Sequence, residues 1–550
     1  MSEYNKNISV NLPADCIYEI IQYIIYDLKT LHSCITVNKT FCQVSIQILW
    51  SNPFKYIEDE DKKKKWLIFR TYFSCLDDQE KKQIMTFIHK PVSDFPKPFI
   101  NYPRFLQVFG TYNIQSSIRS FLQHYTVSTT ENRINNIIYI LNPFLEKLFF
   151  KDQSNFKYMK VDLNDEKNQM DWSLFNNNIV FSNIIKLSFE FSIKSSIKKM
   201  EILKFIQKNL STFIDIISEY NKDIQHIRLS FMIEKPRLKK LETEYDNLLE
   251  TLKYFICSLN NLNNLKSLEI PYSLCNEDLN NLLRKNSHSL TYLRLHEISD
   301  LLTVLNILEH CSNLKTIELL SFHNNTNIDN SICYKHITSN LDHLKNLYMT
   351  VPCIPVLILF QRIVLMANNN NLRTLFYDNI ISDNYSRSNI LLSCKNITHL
   401  FIRMTKKEFS FNISFLKKLK HLVFLKLGWN NYLKIGQIRE LALSFPPSLQ
   451  ILEIIDIESQ IIIARLTVLF QEMPCYLKEI GIEMHINDTI LQIIMDYAKQ
   501  KNSLITFRYT KSQNHNYNKI SEKLLEAAKS LFTVDDNPRP FKISFIESGF

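Results

Sequence analysis

One pattern recurs along most of this chain and limits its fold more than any other feature. It reads apolar-x-x-apolar-x-apolar and is usually preceded by Asn or Ser. It appears in "FLEKLFF" (144–150), "NIIKLSF" (183–189), "DIQHIRL" (223–229), "NLKSLEI" (264–270), "SLTYLRL" (289–295), "NLKTIEL" (313–319), "HLKNLYM" (343–349), "NLRTLFY" (371–377), "NITHLFI" (396–402), "HLVFLKL" (421–427), "SLQILEI" (448–454), "YLKEIGI" (476–482) and "SLITFRY" (503–509). In the last ten copies the first apolar residues lie 25, 24, 30, 28, 25, 25, 27, 28 and 27 residues apart, and the earlier copies are about 40 apart. A single copy would mean nothing in an Ile- and Leu-rich chain, but near-regular recurrence leaves little room for accident. The alternation predicts a short strand, and helix-like stretches such as "ILLSCKN" and "IRELALSF" fall between copies. One such unit cannot bury its apolar side alone. Stacked units can, with a parallel sheet on one face.

This pattern and spacing resemble leucine-rich repeats, in which strand, turn and helix repeat every 20–29 residues or roughly so. The resemblance implies an α/β curved solenoid over 141–550, of about 13 repeats, with its parallel sheet on the concave face. The Asn expected three residues after the last apolar position is mostly missing, with Asn430 an exception, so the repeats are of a degenerate, variable type. The polar stretch 151–178 is the best candidate for an insertion, and "FKISFI" (541–546) reads as a closing edge strand.

The first fifty residues look different. In "LPADCIYEIIQYI" (12–24), Pro13 suits a first helical turn, Asp15 and Glu19 favour the positive end of the helix dipole, and Ile17, Ile20, Ile21 and Ile24 share a face. Asp27 and Asn38 predict the starts of a second and third helix, and "SNPF" (51–54) stops the third. Three helices in so short a stretch cannot hide all their apolar side chains, so a further surface must cover the excess. This stretch resembles an F-box. Leu12, Pro13, Ile20, Ile21, Ile24, Leu28, Leu31, Val37 and Trp50 match that family's pattern, while Phe41 stands where Trp is usual and Asn38 where a small residue or Cys is usual. The match spans about 8% of the chain, 8–54, and looks most like expanded fungal F-box families that carry leucine-rich repeats. It implies that Leu12, Pro13, Ile17, Ile20, Ile21, Ile24, Leu28, Leu31, Val37, Phe41 and Trp50 serve to bind the Skp adaptor, and through it a cullin, in a ubiquitin ligase. A DNA-reading helix-turn-helix is the competing reading. Against it, residues 8–54 hold Lys29 and Lys39 against Asp15, Glu19 and Asp27, and a DNA reader needs cations. A plain cap on the repeats is the other alternative.

Residues 55–140 read as a helical linker region. "EDEDKKKKW" (58–66) is either a solvated, self-paired helix face or a nuclear-import signal, and the four prolines of "PVSDFPKPFINYP" (91–103) mark a junction. Glycine is scarce, at five residues, so no GxGxxG, P-loop or GxSxG can be present, and Asn is expected at many left-handed turn positions. Eleven cysteines without a CxxC pair, and no apolar leader with a basic flank, suit a reducing compartment, cytoplasmic or nuclear. The apolar run "VPCIPVLILFQRIVLMA" (351–367) is short for a membrane span and reads as a buried helix. The net charge of +10 over 550 residues is a mild bias and does not indicate nucleic acid.

The strand positions between the apolar ones face away from the core. They give His226, Arg228, Tyr292, Arg294, His296, Tyr348, Phe376, Asp378, His399, Phe401, Arg403, Phe424 and Lys426, and then Glu453, Glu479 and Glu483. Arg and aromatic side chains are common interface anchors, and guanidinium groups beside apolar rings suit an anion. The expected target segment is therefore acidic or phosphorylated, and truncating Arg294 or Arg403 is expected to leave folding nearly unaffected. An ordinary mixed surface is the alternative. His226, His296 and His399 lie in different repeats with no nucleophile at recognisable spacing, no metal or cofactor motif is present, and Cys475 reads as a buried inter-repeat residue. The F-box resemblance implies a non-catalytic substrate-recognition subunit of a ubiquitin ligase. The alternative is a repeat scaffold or inhibitor whose first helices only cap the stack.

Overall fold

The computed structural model describes residues 12–25, 27–55, 62–88, 91–125, 130–150, 156–162, 178–193, 200–220, 222–233, 242–271, 277–298, 301–322, 341–351, 354–367, 371–379, 394–404, 409–429, 433–455, 462–483, 486–509 and 520–535. Asn430, the segment 541–546 and most of 151–178 lie outside these residues. The chain folds into two compact units, Met1–Leu265 and Lys266–Phe550.

The first unit opens with α1 (Ala14–Gln22), α2 (Leu28–Ile35) and α3 (Lys39–Ser51). Asp27 accepts the Thr30 N–H at 3.1 Å and caps α2; Asn38 accepts the Phe41 N–H at 2.9 Å and caps α3. Helix α3 ends just ahead of Pro53, whose ring disfavours helical backbone in the residue before it. Ile17, Ile21, Leu31, Val44, Ile48 and Leu49 form a core of their own, with Ile24, Leu28, Phe41 and Trp50 packed around it. There follow α4 (Lys62–Ser74), α5 (Asp78–Ile88), two single-turn 3-10 segments in the proline-rich stretch, β1 (Val108–Gly110), α6 (Thr111–Tyr125) and α7 (Glu131–Phe150). The unit continues through β2 (Tyr158–Asp162), β3 (Lys186–Ile193), α8 (Met200–Tyr220), β4 (His226–Ile233) and α9 (Glu242–Ser258). Strands β1 to β4 pair in parallel, in chain order.

Two expectations fail here. "FLEKLFF" is not a strand but the end of α7, where Leu145 and Phe149, four residues apart, are buried on one helix face. The parallel sheet also starts earlier, at Val108, within the stretch read as a helical linker. Its first two strands use the same spacing in disguise: Leu106 and Phe109 bury their side chains ahead of β1's end, and Phe156, Met159 and Val161 do so around β2.

The second unit repeats strand and helix. Its strands are β5 (Ser267–Pro271), β6 (Tyr292–Ile298), β7 (Thr316–Phe322), β8 (Asn346–Val351), β9 (Thr374–Asn379), β10 (His399–Met404), β11 (Phe424–Trp429), β12 (Ile451–Ile455), β13 (Glu479–Glu483), β14 (Thr506–Tyr509) and β15 (Thr533–Asp535). Neighbours in sequence pair in parallel throughout. The described helices between them are α10 (Glu277–Lys285), α11 (Leu301–His310), α12 (Ile354–Met366), α13 (Phe409–Leu416), α14 (Ile435–Ser444), α15 (Ile462–Glu472), α16 (Asp488–Lys501) and α17 (Glu522–Lys529). The last twelve copies of the motif all lie on strands, and their apolar positions, such as Leu293 and Leu295, are buried.

The Asn or Ser ahead of each copy has a physical role. Asn313 donates to the His288 carbonyl at 2.7 Å, Asn371 to Asp342 at 2.6 Å, Ser448 to Leu422 at 2.8 Å and Ser503 to Leu477 at 2.9 Å. Each side chain thus ties the entry of its strand to the backbone of the repeat before it. Glycine's scarcity has a narrower consequence than expected. Among the described residues Asn502, which ends α16 at φ 47°, is the one non-glycine residue in the left-handed region. The apolar run near 360 forms α12, with Val356, Leu359, Phe360, Ile363 and Val364 buried.

Candidate functional site

On the three N-terminal helices, the predicted contact residues separate into two groups. Ile17, Ile21 and Leu31 are core, sealed inside the unit, while Ile24, Leu28 and Phe41 are half-buried. Trp50 turns toward the following segment, with its ring 5.3 Å from that of Tyr72 and 4.3 Å from that of Tyr102. Leu12 (44% exposed), Ile20 (48%), Val37 (60%) and Pro13 remain on the surface. Tyr23, at 88% exposure, joins them. It lies three residues from Ile20 on the same helix face, a spacing that could have flagged it in the sequence.

In the first unit, His226 and Arg228 lie on β4, and Arg228 does not stand alone. Glu190 on β3 takes Lys160 at 2.8 Å through one oxygen and Arg228 at 3.8 Å through the other.

The second unit carries a row of side chains along the middle of its strands, on the face opposite the Leu and Ile positions of the motif, and Glu269, Glu318, Tyr348, Phe401 and Glu453 in that row are themselves buried. In register it runs Glu269, Arg294, Glu318, Tyr348, Phe376, Phe401, Lys426, Glu453, Gly481, Arg508 and Asp535. Three rings occupy its centre. Phe376 stacks on Phe401 at 4.1 Å, Tyr348 lies 6.2 Å from Phe376, and beside them His399 stacks on Phe424 at 5.8 Å. The structure therefore brings Tyr348, Phe376, His399, Phe401 and Phe424 together as predicted neighbours.

The cations of the row have partners that the sequence reading left out. Arg294 sits between two buried carboxylates, 3.4 Å from Glu269 and 3.3 Å from Glu318, and the Tyr292 hydroxyl donates to Glu318 at 3.0 Å. Burial works against the Arg294 charge, and the two glutamates overcome it and raise its pKa. Arg508 lies 2.8 Å from Glu479. Glu269 and Glu318 were legible in principle: each occupies the strand position equivalent to Arg294 in the adjoining copy of the motif.

Lys426 binds Glu453 at 3.0 Å and Glu483 at 2.8 Å. Glu453 is fully buried. Burial, together with the hydrogen bond it shares with Glu483, pushes the Glu453 carboxyl up to about 8 against the pull of Lys426. Burial also opposes ionisation of Glu483, but hydrogen bonds from Glu453 and Lys426 prevail and hold it below its ordinary value. One proton between two carboxylates, beside one ammonium group, is the arrangement these directions describe.

The histidines do not converge. His226 belongs to the first unit; His296 and His399 stand four strands apart, about 19 Å at the usual strand spacing. His399 pairs with the Thr398 hydroxyl at 2.9 Å, and burial lowers its pKa. Cys475 is buried, and that burial pushes its thiol up to about 12. Among the described residues no group of His, Cys, Asp and Glu is placed to hold a metal ion, and no helix is long and apolar enough to cross a membrane.

No family model and no curated protein matches the sequence. Among solved structures, the chain is similar to one described as a crystal structure of the Rad7 and Elc1 complex in yeast, at 12% identity and a TM-score of 0.31, over 73% of this chain and 90% of that one. A TM-score that low does not establish a shared fold.

Proposed function

We propose that this protein is a non-catalytic substrate receptor of a cullin-based ubiquitin ligase. In this reading the three N-terminal helices act as an F-box that docks a Skp-type adaptor, and the strand–helix units act as leucine-rich repeats that hold a target protein. The observation that carries the reading is the N-terminal surface. The three helices share a core and still leave Leu12, Pro13, Ile20, Tyr23 and Val37 exposed, and apolar side chains left on the surface in this way suit a partner. Leu12, Pro13, Ile20 and Val37 are among the residues by which the stretch resembles an F-box. A receptor of this kind acts by proximity and orientation, holding a target beside a ubiquitin-charged enzyme, and needs no catalytic residue. A cytoplasmic or nuclear setting goes with it.

Co-purification of the full chain with a purified Skp-type adaptor tests this. Leu12→Ala with Pro13→Ala should abolish the complex and leave thermal unfolding of the repeats unchanged. A wild-type chain that ignores the adaptor at micromolar concentration overturns the reading. Loss of repeat stability in the double variant would make these helices a cap instead.

A further inference from the structure

We propose that the edge of the second unit at which its strands begin docks an extended acidic segment of the target, along a row of exposed cations formed by Lys266, Lys315, Lys345 and Arg373. The proposal rests on the receptor reading only in calling the bound chain a target. Its chemistry rests on the row itself.

The backbone sets the row. Each of these strands is entered by a residue whose N–H, with that of the residue after it, donates to one carbonyl of the copy before. Thr291 and Tyr292 share the Lys266 carbonyl, Lys315 and Thr316 that of Thr291, Lys345 and Asn346 that of Lys315, and Arg373 and Thr374 that of Lys345, all at 2.8 to 3.1 Å. Lys266, Thr291, Lys315, Lys345 and Arg373 are thus held side by side, one for each strand from β5 to β9. The row is four strand spacings long, about 19 Å. Its four cations are exposed, and Lys266, Lys315 and Lys345 form no ion pair among the described residues. Arg373 donates to the Asn396 carbonyl at 3.3 Å, which steadies the guanidinium without neutralising it.

The second observation is how few acids share this edge. The entry segments ahead of β5 to β11 are 261–266, 285–291, 309–315, 341–345, 371–373, 394–398 and 417–423. They carry nine Lys and Arg residues against two carboxylates, Glu309 and Asp342. That excess of seven is most of the +10 carried by the whole chain, so the positive charge is concentrated here rather than spread. Helix dipoles account for little of it. Lys285 lies in the last turn of α10, where a cation is favoured, but the four residues of the row lie on no helix. The sheet face is the poorer host for an anion, because Arg294 and Lys426 are each held by two carboxylates that it would have to displace.

The third observation selects the kind of anion. The seven entry segments contain no Phe, Tyr or Trp, so the bases of a nucleic-acid strand would find no ring to stack on. A run of carboxylates needs none. Alternate side chains of an extended peptide share a side, roughly 7 Å apart, and about six residues cover the row. The flexible Lys stems absorb the mismatch with the strand spacing.

The test uses the full chain, a fluorescent peptide alternating Glu and Thr, and a fluorescent single-stranded oligonucleotide of matching charge. The wild type should bind the peptide in preference to the oligonucleotide, and more weakly as salt rises. Lys315→Glu with Lys345→Glu reverses two charges on adjacent strands. It should weaken peptide binding roughly tenfold or more, through two lost pairs and two new repulsions. Lys434→Glu with Lys523→Glu makes the same change in net charge at the cap of α14 and in the first turn of α17. Only the general field changes there, so the loss should stay below about threefold. All four lysines are exposed, and neither pair should alter thermal unfolding. Absent peptide binding, equal losses in the two double variants, or preference for the oligonucleotide overturns the proposal. Adaptor capture is measured on the same samples: intact capture without peptide binding removes this site and leaves the receptor reading, whereas peptide binding without capture does the reverse.

Discussion

The Lys426 ammonium lies 2.8 Å from Glu483, two strands away, and 3.0 Å from Glu453 on the strand between. One cation thus serves two carboxylates on three consecutive strands. That is electrostatically incomplete while both acids are ionised, and Glu453, having no access to water, is the one that keeps the proton.

This arrangement gives stability a definite slope with pH. The Glu453 carboxyl rises from an ordinary value of 4.5 to about 8 on folding. Between those values the folded chain holds a proton that the unfolded chain has released, so stability falls as pH rises through the window. Glu453→Gln keeps the shape and the hydrogen-bonding capacity but cannot titrate. Denaturant midpoints measured from about pH 5 to 8 should therefore decline more steeply for the wild type than for this variant. Parallel profiles would mean that Glu453 is ionised throughout.

Arg294 is expected to matter for folding, contrary to what its outward strand position alone suggests. Its removal takes away the guanidinium that lies between Glu269 and Glu318, both buried. Arg294→Ala should cost about 3 kcal/mol, the scale for breaking a buried ion pair. Adding Glu269→Gln and Glu318→Gln should restore most of that loss, because neutral amides tolerate the site. Equal stability of the single and triple variants would show the loss to be packing rather than charge.

Burial also sets the chemistry of the cysteines. Cys475 has its thiol pushed up to about 12 and lies beneath Tyr497, whose hydroxyl donates to the Cys475 carbonyl at 3.2 Å and accepts the Leu477 N–H at 2.8 Å. Cys16 and Cys257 are exposed. Brief alkylation of the native chain, read by peptide mapping, should label Cys16 and Cys257 and spare Cys475, since the thiolate is the reactive form. Labelling of Cys475 at a comparable rate would show that this repeat opens readily.

The strand positions were legible because a parallel strand in a stack needs the same short apolar spacing every time, and twelve copies announce it. "FLEKLFF" misled because Leu145, Leu148 and Phe149 satisfy a helical spacing as well as a strand one, and a single copy cannot decide between them. Strands β1 and β2 were missed for the opposite reason: Phe109, Met159 and Val161 fill the slots that Leu and Ile hold elsewhere. The open face was legible as a set of positions but not as a set of charges. Reading the equivalent position in every copy would have placed Glu269 and Glu318 beside Arg294. No sequence rule, however, says that Lys426 reaches Glu483 across an intervening strand, or that Glu453 loses all contact with water.

The N-terminal helices offer a clean separation of folding from docking. Ile17 and Ile20 are three residues apart on α1, alike in chemistry and opposite in environment: Ile17 is 2% exposed and Ile20 is 48% exposed. Ile17→Ala removes core atoms and leaves a cavity among Ile21, Leu31 and Val44, which should destabilise the three-helix unit by about 2–5 kcal/mol. Ile20→Ala removes atoms already in water, so its effect on stability should stay within about 0.5 kcal/mol. On the proposed function the order reverses for binding. Ile20→Ala should weaken adaptor capture while leaving the helices folded by hydrogen exchange, and Ile17→Ala should weaken capture only as far as it unfolds them. If Ile20→Ala loosens the helices as much as Ile17→Ala does, the residue is structural and this surface docks nothing.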